Sequence, residues 1–427
     1  VSVAWNERKD AACPRGVGIA TDVYASHAQG TELFDENGKR YIDFAGGIGV
    51  LNVGHRHPRV EAAVVDQARR FMHSCYQVLP YKEYITLAER LNAMVPGDFP
   101  KKTVFFTTGV EAVENAIKIA RAATGRPAII SFNGAFHGRT MMGLALTGKV
   151  APYKIGFGSL PGDVYRAPFP ADGTGAAVAD TMAAIQDLFR YDVEASRVAA
   201  IIIEPVQGEG GFYPAPVSLM RQLRALCDAH GILLIADEIQ CGVGRTGTMF
   251  AMEHFGVAAD ITTVAKSLAG GMPLSGVVGR ASVMDAPAPG GLGSTYAGAP
   301  LAIAAAHAVL DVFEKEALLE HGNLLARTMR QRLARAQERH TEITDVRGLG
   351  PMIAMEFSDE HGKPSAALAQ ALRMEALDAG LILLTCGSYG NAIRFLFPLN
   401  TPVGIFNEAL DILDTALANV LRREHTA

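Results

Sequence analysis

Between residues 31 and 44, apolar and polar positions form two strand-like runs around Asp35-Glu36-Asn37-Gly38, and the Asn-Gly pair predicts a hairpin turn there. Residues 58–71 then repeat their apolar positions at helical spacing, with Pro58 at the start, where a helix tolerates it. From about Thr103 the pattern changes again. Short, mostly apolar runs at 103–107, 128–132, 198–203, 232–236, 261–265 and 276–279 read as strands. Helical stretches such as 113–123 and 219–230 separate several of them. Apolar strands alternating with helices predict a parallel sheet covered on both faces. Proline and glycine crowd residues 287–294, and helices follow at 301–313 and 319–335. Residues 343–357, 380–384 and 392–397 predict a smaller α+β unit closed by a helix at 405–422. The expected plan is a large α/β domain over residues 61–315. A small domain would be assembled from both chain ends, 1–60 and 316–427.

Composition narrows the classes. A chain of 427 residues, 49% hydrophobic and 19% charged, buries a sizeable core and exceeds one small domain. The formal charge of −5, without a long basic block, gives no footing for nucleic acid or an anionic membrane surface. The five cysteines, Cys13, Cys75, Cys227, Cys241 and Cys386, are odd in number and contain no CxxC. That argues against a disulfide framework and a zinc ribbon. Residues 1–16 lack the apolar core of a signal peptide, and no apolar run reaches membrane-spanning length, so a cytoplasmic, soluble protein is expected.

Candidate chemistry collects at the ends of the apolar runs. Lys266 closes one of them; in apolar surroundings a lysine loses basicity, which suits Schiff-base chemistry, although most lysines are surface groups. Asp237 and Glu238 close another, where the ligand crevice of an open α/β sheet lies. Thr107-Thr108-Gly109-Val110-Glu111 leads into a helix whose free N–H groups suit a phosphate, though an ordinary connection reads the same way. The Gly-Lys-Ser/Thr ending of a Walker loop is absent. Glu204 and Glu209 sit among glycines after the run 198–203, as in a gate or as in a plain turn. Phe136, His137 and Arg139 follow residue 132; an aromatic there stacks on a planar ring or packs a core, and an arginine grips a carboxylate. Arg394 lies inside an apolar run, so it must be exposed, paired or functional. His55 and His57 form an HxH pair with no evident third metal ligand and read as loop or helix-start residues.

In this order the segments TTGVEAVENAIKIARAATGR, FHGRTMMGLALTGK, IIIEPVQGEGGFY, LLIADEIQCGVGRTG and GGLGSTYAGAP resemble the class III (ω-) aminotransferases of fold type I, over residues 15–420. The resemblance implies pyridoxal 5′-phosphate carried on Lys266, with Asp237 on its ring nitrogen, Gln240 near its phenolic oxygen, Ile239 and Phe136 on its two faces, and Glu204 a buried acid nearby. It implies a phosphate cup at Gly109 and Val110. Thr295 would reach the neighbouring subunit's phosphate, hence a homodimer with shared active sites, with a tetramer left open. For substrates it implies Ile48 lining the pocket, Arg139 on the distal carboxylate and Arg394 on the α-carboxylate of glutamate. Glu209 would cover Arg394 when the donor has no α-carboxylate. The expected reaction is ping-pong transamination of 4-aminobutyrate with 2-oxoglutarate. The alternatives are 5-aminovalerate, ornithine or another ω-amino acid as donor, or an epimerase on the same fold. Two positions depart from the pattern: Val110 and Cys241 stand where serine is frequent.

Overall fold

The computed structural model describes residues 2–170 and 177–424. Its centre is a seven-stranded sheet in the order Lys101–Phe106, Ser275–Arg280, Ile261–Val264, Leu233–Asp237, Val198–Ile203, Ala128–Phe132, Val164–Ala167. The strands Ala128–Phe132 and Val198–Ile203 are buried at every position, because helices cover both faces.

The sheet is mainly parallel, as expected, with one reversed strand: Ser275–Arg280 runs antiparallel to both its neighbours. The link from Ile261–Val264 is too short to hold a crossover helix, and it is spent on the turn that carries Lys266, so the chain folds straight back. Val164–Ala167, the edge strand, was not apolar enough to stand out. The helices run longer than their apolar patterns, as at Gly109–Thr124, where a capping box starts the helix and Gly125 in the left-handed region ends it.

The N-terminal hairpin forms as expected from Glu32–Asp35 and Arg40–Asp43, with the Asp35 side chain accepting from the N–H groups of Asn37 and Lys39 across the turn. Leu381–Ile382, from the far end of the chain, pairs parallel with this hairpin. A further sheet joins Ile343–Leu349, Met352–Phe357, Ala392–Phe395 and Leu384–Cys386. The helices Leu318–Arg339, Ala366–Asp378 and Val403–Glu424 pack with it in one apolar cluster around Phe357, Phe395, Phe397 and Phe406. His57 caps the helix Pro58–Arg70, and His55 bonds Asp43 at 2.8 Å. Among the described residues no helix is long and apolar enough to cross a membrane.

Candidate active site

A cavity of about 340 Å³ opens at the carboxyl ends of the central strands. Gly109, Val110, Phe136, Glu204, Asp237, Ile239, Gln240 and Lys266 all line it. Parallel strands pointing one way deliver these side chains to one rim although they are far apart in the chain.

Lys266 begins the turn after Ile261–Val264 with a positive φ of 48°, a conformation that a lysine adopts only when its surroundings impose it. The next residue shows one constraint: Ser267 donates to the Gly49 carbonyl at 2.9 Å, tying this turn to the glycine-rich segment Gly46–Gly49. Burial lowers the Lys266 ammonium below its ordinary range. The charge of Glu209 opposes this and that of Arg394 adds to it.

Asp237 is held from several sides. Its Oδ2 meets His137 Nδ1 at 2.7 Å, and its Oδ1 accepts from the Thr263 hydroxyl at 3.0 Å and the Ile239 N–H at 3.1 Å. Burial pushes His137 down, yet the bond to Asp237 and its charge leave the imidazole above its usual value. Glu204 accepts from the N–H of Phe136 at 2.8 Å and of Gly208 at 3.0 Å, and burial pushes its carboxyl up to about 7. Glu238, beside Asp237, turns away and accepts from the N–H groups of Ala251 and Met252, so it is a structural acid.

The helix starting at Gly109 presents an anion site. Its capping box uses the N–H groups of Thr107, Thr108 and Glu111. The N–H groups of Gly109 and Val110 have no partner among the described residues, and both residues line the cavity. Ile239 Cγ2 lies 3.1 Å from where a side chain on Gly109 would begin, so only glycine lets helix and Ile239 approach this closely. Gln240 Oε1 is buried without a partner, facing the cavity from across Gly208. Two free N–H groups, an orphaned amide oxygen, a buried lysine and a bonded carboxylate suit a phosphorylated, electron-accepting ring.

The other expected residues lie beyond the cavity wall. Glu209 Oε1 bonds Arg394 Nη1 at 2.5 Å, and both are largely buried. Burial alone would raise Glu209; the charge and bond of Arg394 reverse this and hold it below its ordinary value. Arg139 is exposed, and among the described residues no carboxylate pairs with it. Its guanidinium rests 5.1 Å from the ring centre of Tyr153, which lies 5.1 Å from that of Phe136. Ile48 is 47% exposed and Thr295 is exposed on the loop after Pro287. His137, Thr263 and Tyr153 had no assigned role in the sequence. Thr263 is the sheet partner of Asp237, a register that only the fold reveals.

The family model described as aminotransferase class-III matches residues 14–417. Two curated relatives cover nearly all of the chain. One is the 5-aminovalerate aminotransferase DavT of Pseudomonas putida, 53% identical over 97% of this chain and 98% of its own. The other is the 4-aminobutyrate aminotransferase GabT of Escherichia coli, 54% identical over 95% of this chain and 96% of its own. Among solved structures, ornithine aminotransferase from Toxoplasma gondii superposes with a TM-score of 0.88 at 28% identity, covering 99% of this chain and 96% of its own. An amine transaminase from an uncultivated Pseudomonas, in its PLP-bound form, gives 0.87 at 28% identity, covering 96% and 99%.

Proposed function

The chain belongs to the class III aminotransferases, which work through pyridoxal phosphate, and we propose that it transfers the amino group of 4-aminobutyrate to 2-oxoglutarate, yielding succinate semialdehyde and glutamate in a ping-pong sequence. The observation that carries this reading is an asymmetry between two arginines. Arg394 already holds a carboxylate, Glu209, while Arg139 has none. A donor with one carboxylate, remote from its amine, fits that state: Arg139 takes the carboxylate and Glu209 keeps Arg394 neutralised. A dicarboxylate acceptor needs both arginines, so Glu209 must let go.

In this reading the cofactor phosphate rests on the N–H groups of Gly109 and Val110. Asp237 would pair with the ring nitrogen, Gln240 with the phenolic oxygen, and Phe136 and Ile239 would hold the two ring faces, with Glu204 a buried acid nearby. Pyridoxal phosphate, when bound, supplies the carbonyl carbon that accepts the amine and the ring that accepts electrons. Lys266 Nζ would anchor it and, once released, would carry the proton from the substrate carbon to the cofactor's C4′ within the same half-reaction; burial leaves that nitrogen less protonated than a surface lysine's. His137 fixes the orientation of Asp237. Ile48 borders the substrate space.

We also propose a homodimer completed by Thr295. Tyr296 (63% exposed) contacts His73, and Gln77 bonds the Leu292 carbonyl, so the Thr295 loop adjoins an apolar surface at Met72, Val78 and Leu79. A division into domains at residues 60 and 315 accompanies this reading.

A second donor is favoured by a specific observation. Relatives of nearly equal identity carry the 5-aminovalerate name, and Arg139, exposed and held only by a ring, suits a chain one methylene longer. Steady-state kcat/KM for 4-aminobutyrate, 5-aminovalerate, β-alanine and ornithine, with 2-oxoglutarate as acceptor, decides. We expect 4-aminobutyrate to lead; 5-aminovalerate ahead by tenfold would reassign the donor, a margin of about 1.4 kcal/mol.

A further inference from the structure

Glu209 sits at the tip of a short hairpin, Val206–Gln207 paired with Tyr213–Pro214. The tip is crowded with glycines, yet its return limb, from Gly211 to Tyr213, is tightly held. Arg347 Nε donates to the Gly211 carbonyl at 2.7 Å. Its guanidinium lies flat against Tyr213, 3.7 Å from the ring centre, and the Tyr213 hydroxyl donates to Glu356 at 2.8 Å. Arg347 also pairs with Glu356 and, at 2.8 Å, with Asp345.

The sheet register relates this contact to the active site. Arg347 is the cross-strand partner of Ala354, and Ala354 is the partner of Arg394. Residues directly opposite in antiparallel strands point to one face, so both arginines rise from the same face, about 10 Å apart across two strand spacings. The hairpin lies over that face. Arg394 holds its tip through Glu209, Arg347 holds its return limb at Gly211 and Tyr213, and Phe212, fully buried, packs in one cluster with Ala354 between them. The tip is also anchored by its backbone, since Gly387 N–H donates to the Glu209 carbonyl at 3.0 Å.

We propose that Arg347 is a positioning residue for the Glu209 switch: the permanent member of a two-arginine grip that keeps the hairpin backbone in place while the Glu209 carboxylate leaves and rejoins Arg394. The switch is then a side-chain swing against a fixed backbone, and each departure leaves Glu209 within reach of Arg394. This rests on the proposed role of Glu209. Its consequence is one-sided. A loosened hairpin covers Arg394 poorly when the donor lacks an α-carboxylate, whereas glutamate brings its own carboxylate to Arg394 and needs no cover.

The test compares the two half-reactions of the holoenzyme by single-turnover absorbance, with 4-aminobutyrate and with glutamate, in Arg347→Lys and Glu209→Gln. Lysine keeps the charge but cannot stack flat on Tyr213 and donate sideways to Gly211. Arg347→Lys is expected to lower kcat/KM for 4-aminobutyrate about tenfold and that for glutamate by less than about threefold, the scale of one charge-assisted hydrogen bond. Amide hydrogen exchange of residues 206–214 should quicken in the same variant, with or without cofactor. Gly211→Ala gives a second route, because a methyl there meets Tyr213 at 2.8 Å and Arg347 Nη2 at 3.0 Å and pushes the hairpin off the arginine. It should bias the half-reactions the same way. If Glu209→Gln shows the bias and the other two variants lower both half-reactions equally, or neither, the positioning role is overturned and the switch survives. If Glu209→Gln shows no bias, the switch itself fails and takes this proposal with it.

Discussion

The residues that line the cavity and the two arginines beyond it are built on opposite plans. On the cofactor side every acid is tied down: Asp237 has bonds from an imidazole, a hydroxyl and a backbone N–H, and Glu204 joins the N–H groups of Phe136 and Gly208. On the proposed substrate side Arg139, among the described residues, has only a ring to rest on, and Arg394 pairs there with one carboxylate, which a substrate is proposed to replace. The difference follows from what each side meets. The cofactor presents the same groups throughout, so fixed dipoles lose nothing by being fixed and need no reorganisation during reaction. In the proposed reaction the substrates alternate between one carboxylate and two. A fully bonded arginine could not serve both, and a buried one with no partner would be costly.

The comparison is tested most severely on the rigid side. Lys266→Ala removes the nitrogen that, in the proposed function, both anchors the cofactor and moves a proton. Multiple turnover should fall by at least about 10³-fold, the range that general-base and nucleophilic roles command together. Keto-acid-dependent amine consumption measures it. Near-normal turnover in the variant would remove Lys266 from the chemistry and leave the rigid side without a centre.

The substrate side should respond by affinity. Arg139→Lys keeps the charge but loses the planar fork and the guanidinium's contact with the Tyr153 ring. KM for 4-aminobutyrate and for 2-oxoglutarate should each rise about 10- to 100-fold, with kcat changed much less, since hydrogen bonds to charged groups are worth about 1.5–3 kcal/mol. A fall in kcat at constant KM would place Arg139 on the reacting centre and blur the distinction between the two sides.

Legibility in the sequence divides along similar lines. Lys266 and Asp237 stand out because each is the first charge to close a strand otherwise free of charged residues, and strand ends in such sheets meet the ligand. The alternation of strands and helices was readable for the same reason. The reversed strand Ser275–Arg280 was not, because direction is set by the length of a connection and leaves no trace in a strand's own residues. Thr263 and Arg347 were hidden by register: one is opposite Asp237, the other in line with Arg394, and neither relation exists before the sheets form. Tyr153 comes after a stretch with no periodic pattern, and its meeting with Arg139 and Phe136 is purely tertiary. His137 was visible beside Phe136, but its partner lies a hundred residues away.

Val110 provides the smallest and sharpest measurement, because it lies on the rigid side yet breaks the family's pattern. Read as sequence, it is a lost hydroxyl. The fold gives it a second meaning. Gly138 and Gly143 leave the room its methyls fill: a Cβ on either would meet Val110 Cγ2, at 2.2 and 2.8 Å. The isopropyl group is therefore a packing element between the phosphate cup and the segment that carries Arg139. Val110→Ser should then move two quantities in opposite directions. One added neutral hydrogen bond, about 0.5–1.5 kcal/mol, should tighten cofactor binding by less than about tenfold. Loss of two methyls beside two glycines should lower the thermal midpoint of the cofactor-free protein, on the scale of about 1 kcal/mol seen for small core truncations. Both can be read on one preparation, by cofactor titration and by melting with and without it. A serine that tightened binding with no loss in the apoprotein would mean that the valine fills nothing. The rigid side would then owe its order at this point to backbone N–H groups alone.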